Sequence, residues 1–438
     1  MKRFYFFSIF FIFALFSFLA CNNDEKSSSK ISEAKDEAIK DFVRNLQSEV
    51  KISQLFLVNI EGNQKFIPVE TCKIFSEQKK QTPLLAGGCL FFGYNIAKTK
   101  DEVQTFIKSI HDFYLKNQNP PPFIAVDQEG GDVNRLKSLT NIFPSNKTVA
   151  SKMTLEQAAK LYKEQADELC NLGFNMNLAP VVEVETPENF KFLGTRSFGS
   201  LQKVLEYAPL EINAFENQKV LTVLKHFPGN TNTDPHTGLP EIKLDLKTLN
   251  ETYLLPFKEL LPFSSAVLMS HARLCLVQSD IEENASDFDK DLFLHSKTFK
   301  GEPACLSNFW VGEVLRKHFS FAGLVISDDI FMGALALNGF PPDEAAIKAI
   351  ESGTDIIMLS EKRYGEVAKL LLQKAASSSD FALKIDRAVE RVIEYKIKAG
   401  LLEFEEVEDS LNQKQKSKSI FKVKIAKKFL DSISEDLD

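Results

Sequence analysis

The sequence predicts an α/β fold, a (β/α)8 barrel of the TIM type, and three observations carry that expectation. Eight short apolar or β-branched runs bounded by turn signals recur along the chain, at 55–58, 88–92, 123–127, 174–178, 220–227, 266–271, 324–328 and 355–359. Segments with helical periodicity lie between most of them, among them 101–115, 155–172, 201–218, 249–261, 309–318 and 342–352. Several of the runs are apolar throughout, as strands are when both faces are covered. An open doubly wound sheet is the competing arrangement. No G-x-G-x-x-G follows the first run, which weakens a dinucleotide site. With 44% hydrophobic and 26% charged residues, the 438-residue chain is neither a polytopic membrane protein nor mostly disordered. A net charge of −7 provides no broad basic field for nucleic acid.

The chain opens on a targeting pattern. Lys2 and Arg3 precede an uncharged apolar run over 4–20, which ends in Phe18-Leu19-Ala20-Cys21. That ending resembles a bacterial lipoprotein signal. Residues 1–20 are then the signal peptide and Cys21 the lipidated first residue, on a protein exported and anchored at the cell membrane or outer membrane. An ordinary signal peptide or an uncleaved anchor is the alternative. Residues 21–40 are rich in Ser, Lys, Asp and Glu and read as a flexible tether. The barrel domain is expected over 41–402. The tail, 403–438, is charged; its lysines between 412 and 428 point to a solvated, partly helical segment. Cys72, Cys89, Cys170, Cys275 and Cys305 form no C-x-x-C pair and read as buried thiols. No metal spacing and no cofactor loop is present, so neither is expected.

Polar residues cluster directly after the apolar runs, where a barrel keeps its catalytic groups. The third run ends in Asp127-Gln128-Glu129-Gly130-Gly131, the fifth in Lys225-His226-Phe227-Pro228-Gly229, the sixth in Ser270-His271 and the seventh in Ser327-Asp328-Asp329. After the fifth run, Asp234 stands two residues before His236. A carboxylate that close can orient an imidazole and raise its basicity, giving a group that delivers and removes a proton. Asp328 can supply a nucleophile, and a carboxylate nucleophile with a separate acid/base is the logic of retaining glycoside hydrolysis. Asp127, Arg196, Lys225 and His226 can bond the hydroxyls of a sugar, each of which needs a partner once taken from water. Taken singly, each has a plain structural role: Asp328 as a helix N-cap, Asp127–Gly131 as a turn, Lys225-His226 as a solvated strand end. Their recurrence on successive strands points to one shared site.

Together, Ala125-Val126-Asp127-Gln128-Glu129-Gly130-Gly131 with Val133 and Arg135, Gly194-Thr195-Arg196-Ser197-Phe198-Gly199, Lys225-His226-Phe227-Pro228-Gly229 and Ile326-Ser327-Asp328-Asp329 resemble glycoside hydrolase family 3. The branch they resemble is that of the β-N-acetylhexosaminidases of peptidoglycan recycling. Pro303-Ala304-Cys305-Leu306-Ser307, Gly353-Thr354-Asp355 and Arg391 through Leu401 add to the match, which covers roughly residues 45–402. The resemblance implies that Asp328 is the nucleophile, His236 the acid/base and Asp234 its partner. It implies that Asp127, Arg196, Lys225 and His226 grip N-acetylglucosamine, and His271, at the end of the sixth run, is expected to contact the substrate with them. It also implies a cofactor-free exo-β-N-acetylglucosaminidase whose partner is a small oligosaccharide or muropeptide. A phosphorylase, since a neutral His base does not repel phosphate, and a non-catalytic sugar-binding lipoprotein are the alternatives.

The sequence departs from the family pattern in four ways. Asn230-Thr231-Asn232 follows Gly229 where the family has His-Gly, the loop is about two residues shorter, and Pro235 replaces a Ser within the Asp-x-His pair. Glu183 stands where an Asp is usual. A single catalytic domain is expected, without the second α/β domain. An export signal precedes a domain type that is often cytoplasmic.

Overall fold

The computed structural model describes residues 21–72, 82–277, 280–298, 302–360, 364–407 and 420–429. The expected signal peptide lies outside them. Eight parallel strands run in chain order around one sheet: β1 (Phe56–Asn59), β2 (Gly88–Phe91), β3 (Phe123–Val126), β4 (Met176–Asn177), β5 (Leu221–Phe227), β6 (Ala266–Met269), β7 (Leu324–Ile326) and β8 (Ile357–Leu359). β8 pairs with β1, and an Ile326–Ile356 bridge with the bond from Ser327 N to Ile356 O (2.9 Å) closes the ring between β7 and β8. All eight sequence-predicted strands are present, each shorter than or shifted by a residue or two from the run that predicts it.

Strand pleating sorts the apolar residues into two sets. Leu57, Leu90, Ala125, Met176, Val223, Leu268, Ile326 and Met358 fill the barrel interior as one cluster. Their neighbours Phe56, Val58, Cys89, Phe91, Val126, Val267, Val325 and Leu359 pack outward against the helices. The barrel helices start where the sequence provides caps: Thr99 with Glu102 opens Lys100–Lys116, and Thr154 with Gln157 opens Leu155–Leu172.

The end of the barrel away from the polar strand ends is closed by helix Ser379–Lys398, whose Val392 joins the interior cluster together with Ala399 and Leu401 just beyond it. Lys396, fully buried there, donates to Gln54 Oε1 at 2.6 Å. Gly353-Thr354-Asp355 and Arg391 have a structural job. The buried Asp355 carboxylate accepts from Arg316 Nη2 (2.7 Å), Arg391 Nε (2.6 Å) and Val325 N (2.8 Å), tying β7 to two helices.

Two expectations about the ends need correction. Residues 21–40 belong to a continuous helix, Cys21–Asn45, not a tether. Ala38, Ile39 and Val43 recur at helical spacing and are buried against helix Ser379–Lys398 and the tail, a face the polar composition hid. The described part of the tail is an antiparallel strand pair, Leu402–Val407 with Ile420–Ile425, not a helix. Its residues alternate apolar and charged, and the lysine count masked that period of two. Residues 408–419 and 430–438 lie outside the described residues. Cys89 and Cys305 are buried as expected, whereas Cys170 is exposed.

Candidate active site

Asp127, which directly follows β3, begins the turn that carries two carboxylates, its own and that of Glu129. Gly130 and Gly131 have φ of 86° and 59°, and a methyl group on them would stand 2.3 Å from Pro144 O and 2.5 Å from Ser145 Cβ. Only glycine lets the loop fold back that closely. Gln128 Oε1 accepts from the amides of Arg135 (2.8 Å) and Leu136 (3.1 Å), and Asn177 at the end of β4 bonds both Gln128 N and Gln128 O. The turn is thereby fixed before any ligand arrives.

Into it reach two cations, one from β5 and one from the loop between β4 and β5. Lys225 Nζ, on β5, bonds Asp127 Oδ1 and lies 2.5 Å from Glu129 Oε1. Arg196 grips Glu129 with both Nε and Nη2, at 2.7 Å each. The side chains of Lys225 and Glu129 are 3% and 1% exposed. Burial alone would push the Glu129 carboxyl up, but Lys225 and then Arg196 outweigh it and hold it down at about 2. For Arg196 burial acts the other way, lowering its pKa, and Glu129 more than reverses it. Arg135 completes the group by bonding Asp127 Oδ2 at 3.2 Å.

His226 is oriented from both ring nitrogens. Nδ1 and the backbone N–H donate to Glu183 Oε2 at 2.6 and 3.1 Å, which leaves Nε2 to accept from Arg196 Nη2 at 3.4 Å. One oxygen of the longer acid at position 183 thus supports His226, while Oε1 is buried without a partner, and the loop's geometry is held by Ser197 Oγ donating to Glu183 O at 2.6 Å. Phe192 lies against Arg196 and edge-on to His226.

Asp328 follows β7 and is half-buried, with Oδ1 accepting from Asp329 N at 2.8 Å. His271 stands behind that turn. Its Nε2 bonds Asp329 O at 3.0 Å and its Nδ1 meets Cys305 Sγ at 3.1 Å. Burial lowers the His271 pKa despite the opposing charge of Asp328, so the ring is neutral, donating from Nε2 and accepting from the thiol. With both nitrogens engaged inside the protein, His271 braces the turn that presents Asp328; the expectation that it contacts sugar is corrected on that ground.

The Asp234–His236 pair forms as expected: Asp234 Oδ1 accepts from His236 Nδ1 (2.8 Å) and from His236 N (2.9 Å). Those bonds, the backbone one first, hold the Asp234 carboxyl below the usual range. His236 Nε2 is left for a substrate. Unlike the binding cluster, the pair faces solvent, with side chains 73% and 60% exposed.

A cavity of about 620 Å³ lies elsewhere, lined by Ile107, His111, Gly173, Phe174 and Lys219. These residues precede β4 and β5, so it opens at the N-terminal ends of the strands. None of the groups above lines it; they lie at the opposite mouth, where barrels of this kind keep their catalytic groups.

A family model described as "Glycosyl hydrolase family 3 N terminal domain" matches residues 47–395. The chain belongs to glycosyl hydrolase family 3. Among relatives in this family, a β-hexosaminidase of Tolumonas auensis is 28% identical over 314 residues, 69% of this chain and 84% of that protein. A β-hexosaminidase A of Pseudoalteromonas piscicida is 28% identical over 281 residues, 62% of this chain and only 45% of that protein. Among solved structures, a family 3 β-N-acetylglucosaminidase from Paenibacillus sp. str. FPU-7 superposes with a TM-score of 0.68 at 26% identity, covering 81% of this chain and 63% of that one. The family 3 barrel is thus the fold of this chain, and the longest of these relatives extend well beyond it.

Sequence reasoning named Asp127, Arg196, Lys225 and His226, and the structure brings them together. It quoted Glu129 only as part of a motif and Glu183 only as a departure from the family pattern, and gave neither the role the structure shows. Glu129 had a readable signal: two buried cations after adjacent strands need more than the single carboxylate of Asp127. Glu183 had none, since its role depends on a loop crossing from β4 to β5.

Proposed function

We propose that this chain is an exported, lipid-anchored, retaining exo-β-N-acetylglucosaminidase that removes terminal β-linked N-acetylglucosamine from cell-wall fragments. What supports this reading is that the buried cluster of Asp127, Glu129, Arg196 and Lys225, the Asp328 carboxylate and the Asp234–His236 pair all lie at or after the C-terminal ends of barrel strands, the last two on segments joined by the bond from Ala334 N to Pro235 O. The names of the relatives, β-hexosaminidase and β-N-acetylglucosaminidase, support the substrate class.

In this mechanism Asp127, Arg196, Lys225 and His226 hold the ring hydroxyls and the N-acetyl-bearing face. Asp328 attacks the anomeric carbon while His236 Nε2 gives its proton to the leaving oxygen. The Asp234 carboxylate stabilises the imidazolium before that step. The neutral His236 then takes a proton from water as the water attacks the glycosyl-enzyme, and the free sugar leaves with retained configuration.

The test is release of aryl alcohol from an aryl N-acetyl-β-glucosaminide by the chain beginning at residue 22. Product anomers are followed by NMR, with and without phosphate. β-Configured free sugar supports the proposal. An α product would refute retention, and a sugar 1-phosphate would replace hydrolysis with phosphorolysis. Saccharide binding without turnover by the folded protein would move the reading to a binding lipoprotein. For the anchor, labelled fatty acid should enter the wild type in cells and not Cys21→Ala; equal labelling of both would remove Cys21 from the proposal.

A further inference from the structure

The side chains of Asp234 and His236 are exposed, yet the loop that bears them is fastened on both sides. Two residues before Asp234, Asn232 reaches across to the segment after β4. Its Oδ1 accepts from the amides of Lys191 (2.8 Å) and Phe192 (3.4 Å), its Nδ2 donates to Pro187 O (2.9 Å), and its own N donates to Glu188 O (2.6 Å). The short helix Phe190–Leu193 needs such an acceptor. Asn189, at its N-cap position, makes no cap bond, because its side chain is used by Thr186 N and Val184 O. Asn232 caps that helix from another loop.

One residue after Asp234, Pro235 O accepts from Ala334 N at 2.9 Å, in the helix Gly333–Ala336 that follows the Asp328 turn. A methyl group on Gly333 would stand 2.3 Å from His236 O, closer than real contacts come. Just beyond the second fastening the amides of Thr237 and Gly238 both turn back to Asp234 O at 3.0 Å. The pair is thus bracketed, tied on one side to the segment leading to Arg196 and on the other to the segment leaving Asp328.

We propose that Asn232 and Gly333 are positioning residues that pin this loop, so that His236 is held against the scissile bond before substrate binds. The inference rests on His236 being the acid/base. Positioning of this kind matters because a misplacement of about 1 Å of a proton donor can cost on the order of 100-fold. The pins act through backbone and amide bonds, which is how a group that must meet water and a leaving group stays fixed without being buried.

The test compares kcat/KM for two aryl N-acetyl-β-glucosaminides, one with a very acidic phenol as leaving group and one with plain phenol. This parameter reports only as far as departure of the leaving group. The acidic phenol leaves without a proton; plain phenol requires one. Asn232→Ala and Gly333→Ala should each lose about 10–100-fold with plain phenol and stay within about 3-fold of wild type with the acidic one. Asn232→Asp, which keeps the acceptor, should recover most of the loss. His236→Ala, the control, should show the same selectivity more strongly. Thermal midpoints close to wild type will show that the loop variants are folded. If His236→Ala discriminates between the two leaving groups and Asn232→Ala does not, the pin is refuted and the acid/base assignment stands. If His236→Ala does not discriminate, that assignment fails and takes the pin with it. Equal losses on both substrates in Asn232→Ala would mean a merely structural residue and would also overturn the proposal.

Discussion

Lys225, Arg196, Glu129 and Asp127 meet on one side of the barrel mouth as a largely buried set of alternating charges, each cation touching a carboxylate. Asp234 and His236, by contrast, form a single pair in open solvent. The binding half is fixed by burial: a charge removed from water stays where its partners are, because leaving them is expensive. The exposed half cannot be built that way if it handles the proton as proposed, since its imidazole must then reach both a leaving group and a water molecule. It takes its order from main-chain bonds of the loop. Substitutions should therefore separate the two halves. In the buried half they should cost stability as well as activity, and in the exposed half activity alone.

The largest expected effect lies at Asp328, which belongs to neither half. Asp328→Asn should lower turnover of an aryl N-acetyl-β-glucosaminide by about 10⁴-fold or more, because it removes the attacking carboxylate and nothing replaces it. Wild-type-like turnover would dismiss it as the nucleophile.

Glu129→Ala comes next and belongs to the buried half. It leaves Arg196 and Lys225 without their shared carboxylate, and a loss of about 3–5 kcal/mol in denaturant unfolding is expected, with loss of N-acetylglucosamine binding. A pH dependence goes with it. The folded-state pKa of Glu129, about 2, lies below its ordinary value of 4.5. Its contribution is present above pH 4.5 and lost as pH falls toward 2. Wild type should lose more stability over that window than Glu129→Gln; parallel curves would show that the pairing contributes nothing.

Asp234→Asn tests the exposed half. Turnover should fall by about 10–1,000-fold through loss of the imidazolium's partner, while the unfolding free energy changes by no more than about 0.5 kcal/mol. A marked drop in stability would erase the distinction between the two regions.

The smallest effect sharpens the rule for buried cations. Lys225 has two carboxylates, whereas Lys396 has the Gln54 amide oxygen, and burial brings Lys396 from 10.5 to about 7. Its charged form is disfavoured in the folded state, so the unfolded chain binds more protons between pH 7 and 10.5 and stability should rise with pH there. Lys396→Met should remove that part of the rise, as seen in thermal midpoints at pH 7 and 9. An unchanged slope would show that Lys396 is ionised in the folded protein.

The strands were legible because apolar runs with polar ends are a local signal, and the same signal exposed Asp127, Lys225, His226 and Asp328. What was not legible depends on partners distant in sequence. Glu183 meets His226 across 43 positions, and Asn232 caps a helix 41 residues earlier. The helix Cys21–Asn45 was hidden differently: its first dozen residues are polar, and the face that docks begins only near Ala34. His271 carried the right position for a sugar contact but the wrong surroundings, since Cys305 and Asp329 occupy both its nitrogens.

That first helix also sets a direction. It runs antiparallel to Ser379–Lys398, with Asp36 acting on Glu394 and Lys40 on Glu390, so its N-terminus points past the Lys396 end, where the barrel is closed. Its 25 residues amount to roughly 37 Å at ~1.5 Å each. Under the proposed anchor at Cys21, the closed end faces the bilayer across this spacer and the mouth opens toward the aqueous compartment. Diffusing fragments would then be the natural diet and lipid-linked glycans the poor one. Liposome-bound enzyme should accordingly process soluble disaccharide at the rate of the unanchored chain; preferential turnover of a lipid-linked glycan in the same vesicles would reverse the orientation.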